Sequence, residues 1–135
     1  MKYLLDTNAC ISYLNHPQSP IRYRLARLEP ASVSVCSVVK AELYFGVMKS
    51  SQPIKNQERL ETFLQPLASF PFDDTAATVY GKIRAKLSRA GRLIGPYDLQ
   101  IASIALANDL TLVTHNTDEF SRVDGLKIED WESPC

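Results

Sequence analysis

Four places in this 135-residue chain carry oxygen ligands where a fold's chemistry is usually found. Asp6 ends the short apolar run Tyr3-Leu4-Leu5, and Glu42 lies between Val38 and Phe45. Asp98 follows Gly95-Pro96, and the polar loop Thr114-His115-Asn116-Thr117-Asp118-Glu119-Phe120 leaves a second apolar run. Each has an ordinary structural use. Asp6 suits the cap of a helix starting near Ala9, and Asp98 suits the positive end of a helix macrodipole. Asn116 or Asp118 can close the turn into Phe120. Glu42 borders an apolar helix face, where a buried carboxylate needs a partner. As a set, oxygen donors without a His or Cys cluster suit a hard cation, Mg²⁺ or alternatively Mn²⁺, rather than zinc. A cation held there would bind phosphate.

The elements around these residues explain how they could converge. Tyr3-Leu4-Leu5 is apolar without alternation, which predicts a strand covered on both faces, with Asp6 at its carboxyl end, where open α/β sheets bind ligands. Ile11 and Leu14 place a short helix over 9–14, and Ile21, Leu25 and Leu28 place another over 21–28. The alternating, β-branched 32–36 predicts a strand, with Ser37 as the cap of a helix over 38–48. In that helix Val39, Leu43, Gly46 and Val47 form the apolar face, and Phe45 and Met48 widen it. A helix over 54–65 follows Pro53 and ends at Pro66, making a two-helix hairpin. The stretch 67–72 reads as an edge strand because of its proline. Helices follow over 75–90 and 97–108, then strands over 110–114 and 126–128. Strands alternating with helices predict an α/β fold of three layers, a mostly parallel sheet between helices, with the hairpin protruding. The chain is long enough for one core, hence one domain over 1–135.

Composition narrows the classes of function. Fifteen Lys plus Arg balance fifteen Asp plus Glu, so a polyanion must be met by a local patch. Cys10, Cys36 and Cys135 form no CxxC pair and leave one over, which argues against a disulfide framework or zinc knuckle and fits a reducing cytoplasm. No run suggests a signal peptide or a membrane span, so a cytoplasmic protein without a membrane partner is expected.

The motifs Leu4-Leu5-Asp6-Thr7-Asn8, Ser37 to Gly46 around Glu42, Gly95-Pro96-Tyr97-Asp98-Leu99-Gln100-Ile101-Ala102 and Leu112-Val113-Thr114-His115-Asn116 with Phe120 follow one another in an order that resembles the PIN-domain ribonucleases, within them the VapC-type toxins. The resemblance covers nearly the whole chain. It implies a PIN-like fold and a metal-dependent endoribonuclease whose RNA substrate is expected to be tRNA. It also implies a VapB-type antitoxin whose C-terminal segment covers the acidic cleft, and a homodimer. In the family the positions of Asp6, Glu42 and Asp98 bind the metal and a fourth position matches Asn116, with Asp118 in reserve. Thr7 and Thr114 look like the family's supporting hydroxyls.

Lys82, Lys86 and Arg89 share one helical face within a run that also holds Arg84 and Arg92, and form a candidate phosphate-contacting stripe. His16 and His115 pair with no nucleophile at a recognisable spacing and are assigned no chemistry. Tyr44, Phe45, Met48, Leu60 and Phe63 on the hairpin read as core; in the family, similar surfaces receive the antitoxin or a second toxin. An α/β phosphatase would need an Asp-x-Asp pair or a late strand-end Lys, and neither is present. A non-catalytic RNA-binding or protein-interaction module is the remaining alternative, and it would not need the three acids.

Overall fold

The computed structural model describes residues 2–132, so Cys135 lies outside the described residues. Five strands, β1 (Tyr3–Leu5), β2 (Val33–Cys36), β3 (Ala68–Phe70), β4 (Thr111–Val113) and β5 (Ile128–Glu129), form one sheet in the order β3-β2-β1-β4-β5. Every pairing is parallel. The apolar N-terminal run is therefore the central strand, with Leu4 and Leu5 fully buried, because both sheet faces are covered by helices. The proline-flanked stretch is indeed an edge strand, β3, with Pro71 just beyond it.

Helices α1 (Thr7–Asn15), α2 (Pro20–Ala26), α3 (Ser37–Lys49), α4 (Pro53–Leu64), α5 (Asp74–Arg89), α6 (Pro96–Ala107) and the four-residue α7 (Thr117–Phe120) complete the fold. Helix α1 starts two residues earlier than its apolar spacing predicts, because Asp6 caps it by accepting from the Ala9 N–H at 2.8 Å. Ser37 is not a cap: Cys36 holds that position, and the Ser37 hydroxyl donates to the Phe70 carbonyl. Helix α6 buries Leu99, Ile101, Ala102, Ser103, Ile104 and Ala105, so it is apolar nearly all round and lies inside the molecule, with α5 packed along it. The hairpin departs from its reading as core. Leu60 is buried and Phe63 packs on Tyr13, whereas Phe45 and Met48, like Ile54, are more than half exposed.

Helices α5 and α6 both stop at their carboxyl ends through the left-handed region. After α5, Gly91 takes φ 66° while the Arg92 N–H donates back to Leu87 and the Gly91 N–H to Ser88. After α6 the same pair of bonds forms around Asp109, at φ 54°, although it is not glycine.

Candidate active site

All strands being parallel, their carboxyl ends share one edge, and the chain leaves that edge at Asp6, at the start of α3 and at Thr114. Asp6 is 5% exposed. One carboxylate oxygen accepts from Ala9, the carboxylate also accepts from the Thr114 hydroxyl, and the Asp6 N–H donates to the Val113 carbonyl, extending the ladder between β1 and β4. Burial pushes its pKa up to about 6; Thr114 and Ala9 counteract this in part, while the nearby charges of Asp98 and Glu132 add to it.

The supporting hydroxyls have distinct tasks. Thr7 donates to Glu42 Oε1 at 2.6 Å, tying α1 to α3 and fixing a half-buried carboxylate that the apolar face would otherwise leave unpaired. Thr114 is buried, donates to Asp6 and accepts from the Asn116 N–H at 2.9 Å.

Asp98 stands in the first turn of α6, behind Gly95 and Pro96. Its carboxyl is held above the usual range by burial first, then by Glu119 and then by Glu42. The charges acting on Asp98 are thus all carboxylates, and so are those acting on Asp6. Asp98 thus feels Glu42 and Glu119 and itself acts on Asp6, which links the four carboxylates electrostatically.

Glu119 is the residue that sequence reasoning passed over. Asp118, next to it, is exposed, and its carbonyl accepts from Ser121. Asn116 takes the cap position of α7 without a side-chain cap bond. Residues 116 and 119 lie on one face of a helix, so recognising α7 would have singled out Glu119. Four residues are too few to show a helical period.

Lys82, Lys86 and Arg89 are exposed on α5, and Lys86 pairs with Asp124. Lys82 and Lys86 share one hollow with Arg122, which donates to the Leu93 carbonyl in the loop before α6.

An open groove of about 240 Å³ runs from Glu42 between α1, α3 and α4, lined by Ile11, Leu14, Leu43, Val47 and Leu60, with Asn56 and Arg59 at its side. Cys10 and Cys36 are buried and unpaired, with both thiols raised by burial, so neither is a ready nucleophile. Among the described residues no three His, Cys, Asp or Glu side chains stand close enough to cage an ion alone.

Residues 3–126 match the PIN domain family. The chain is 40% identical over 131 residues, 97% of its own length and 98% of the relative's, to a protein of Shigella flexneri named tRNA(fMet)-specific endonuclease VapC. It is 39% identical over 133 residues, covering 98% of this chain and 99% of the other, to Ribonuclease VapC2 of Rickettsia felis. Two solved complexes share the fold. VapBC2 from Rickettsia felis, bound to a DNA fragment from their promoter, has a TM-score of 0.91 at 38% identity, over 97% of this chain and 99% of that one. DNA-bound VapBC from Salmonella typhimurium has a TM-score of 0.91 at 39% identity, over 97% and 98%.

Proposed function

From a chain that belongs to the PIN-domain family, and within it to the VapC ribonucleases, we propose a toxin that hydrolyses RNA at the acidic centre with a divalent cation, tRNA being the substrate class and a VapB-type antitoxin the inhibitor. The observation that carries the reading is the buried Asp6 beside Asp98, with Glu42 and Glu119 near enough to raise Asp98 further. Such a group is costly until positive charge joins it.

Asp6 and Asp98 would hold Mg²⁺, or Mn²⁺, with Glu42 in contact directly or through water. When bound, the cation supplies charge for the phosphate and lowers the pKa of a water. The rest is done by side chains. Ala9 and Thr114 fix the rotamer of Asp6, so its remaining acceptor capacity faces the centre. Thr7 holds one oxygen of Glu42, leaving the other to orient the attacking water and accept its proton. The water oxygen bonds to phosphorus as one ester P–O bond breaks, and the departing oxygen takes up a proton.

Glu42 also borders the apolar groove between α1, α3 and α4, so an antitoxin segment laid there would reach the acids. A basic side chain on it would then occupy the cation's place. The exposed Phe45, Met48 and Ile54 are the proposed contact with a second copy. No helix among the described residues is long and apolar enough to cross a membrane.

Induced expression of wild type beside Asp98→Asn, with primer extension on total RNA, tests the reading. Growth arrest with discrete new RNA ends, absent in the variant, is expected. Equal behaviour at equal protein levels would favour the interaction-module alternative.

A further inference from the structure

The chain's two histidines are 99 residues apart in sequence, yet both line one open cleft beside Asp6. This cleft, of about 450 Å³, is walled by Asn8, Ile11, His16, His115, Asn116 and Glu132, a volume within the usual range for small-molecule sites. It adjoins the acidic centre through shared elements. Asn8 is two residues past Asp6 on α1, and Asn116 is bonded through its N–H to the Thr114 hydroxyl that also holds Asp6. In sheet order it lies on the β4–β5 flank of β1, whereas Glu42 enters from the β2 flank.

Its lining selects among the parts of an RNA strand. A phosphate is disfavoured there, since Glu132 lines the cleft and Asp6 lies close by. A base fits the same groups. Ile11, 38% exposed, gives an apolar surface, and the imidazoles give flat faces for stacking. His115 is fixed in place: its Nδ1 donates to Asp130 at 3.0 Å to one oxygen and 3.2 Å to the other, which leaves Nε2 and the ring face to the cleft. Asp130 is itself set by accepting from the Glu132 N–H at 2.9 Å. The amides of Asn8 and Asn116 and the carboxylate of Glu132 can read donors and acceptors on a base edge.

We propose that this cleft binds the base of a nucleotide adjoining the scissile phosphate, stacked on imidazole and read at its edge by Asn8, Asn116 and Glu132. The inference rests on the ribonuclease reading above and adds a subsite to it. A base seated there would place the neighbouring phosphate over Asp6 and Asp98, converting binding into alignment.

The test uses a cleaved RNA oligonucleotide and a series in which each nucleotide near the cut is made abasic in turn. Cleavage of the intact RNA by the wild type establishes the ribonuclease reading first; no cleavage removes that reading and this inference together. For the wild type, kcat/KM should fall about 10-fold at one flanking abasic position, the scale of one stacked base. In the His16→Ala/His115→Ala protein the intact and abasic RNAs should be cleaved at nearly equal kcat/KM. Because each ratio is taken within one preparation, a partly unfolded variant does not distort it. An abasic effect equal in wild type and variant, or no abasic effect at any flanking position, would overturn the subsite while leaving the nuclease intact.

Discussion

Replacing Asp6 by Asn should abolish cleavage and yet stabilise the metal-free protein at neutral pH. The carboxyl is 5% exposed, and its folded pKa is raised from 3.8 to about 6. The folded state therefore binds this proton more tightly than the unfolded state does. Stability from this group is fully present below pH 3.8 and declines as pH rises toward 6, above which the buried charge is fully imposed. The displacement corresponds to roughly 3 kcal/mol as an upper figure. Asn keeps an acceptor for the Ala9 N–H, being as good a cap as Asp, and loses the charge's favourable interaction with the start of α1, worth about 0.3–1 kcal/mol, together with the charge assistance of the bond from the Thr114 hydroxyl. A net gain of about 1–2 kcal/mol remains, or some 3–8 °C in Tm for a domain of this size. The assay is thermal unfolding in EDTA from pH 4 to 8. The variant should melt higher at pH 7.5, the gap should close toward pH 4.5, and millimolar Mg²⁺ should raise Tm for the wild type alone. A variant that melts lower than wild type at pH 7.5 in EDTA, or a gap independent of pH, would refute the account of Asp6 as a repelled, buried carboxylate awaiting a cation.

Glu119→Gln removes the first charge that acts on Asp98, so the acid limb of the pH profile for RNA cleavage should move to lower pH; an unmoved limb would take Glu119 out of the centre. Lys86→Glu with Arg89→Glu should weaken binding of a folded tRNA and lower its salt slope by about 1.5. Equal salt slopes for wild type and variant on tRNA would dismiss the stripe. Asp109→Gly relieves the positive φ after α6 at the loss of an exposed ion pair with Lys127, and should raise Tm by about 1–3 °C in a thermal melt.

What could be read from the residues, and what could not, follows from the range over which each signal acts. The apolar run before Asp6 and the β-branched run before Cys36 are local, and a strand covered on both faces needs nothing else to announce itself. Hence the sheet, and the acids that leave its carboxyl edge, were legible. The hairpin was misread at Phe45 and Met48 because helical spacing gives the breadth of an apolar face but not which part of it another element covers. Glu119 was missed for want of length in α7, and the partner of Lys86 because Asp124 is 38 residues away in sequence.

The histidines mark a different kind of limit. A side chain without a recognisable partner at short spacing gives no sequence signal, and His115 finds its partner in Asp130 only because β4 and β5 lie side by side. The pairing Leu112 with Ile128 and Val113 with Glu129 brings the residues just past both strands to the same edge as Asp6. The register that closes the sheet thus also sets Asp130 behind His115 and Glu132 within reach of Asp6. A one-residue slip of β5 would turn Ile128 from one face to the other, taking Asp130 from behind His115 and Glu132 from the cleft. The last strand, only two residues long, therefore adds little to the core while it fixes one wall of the site.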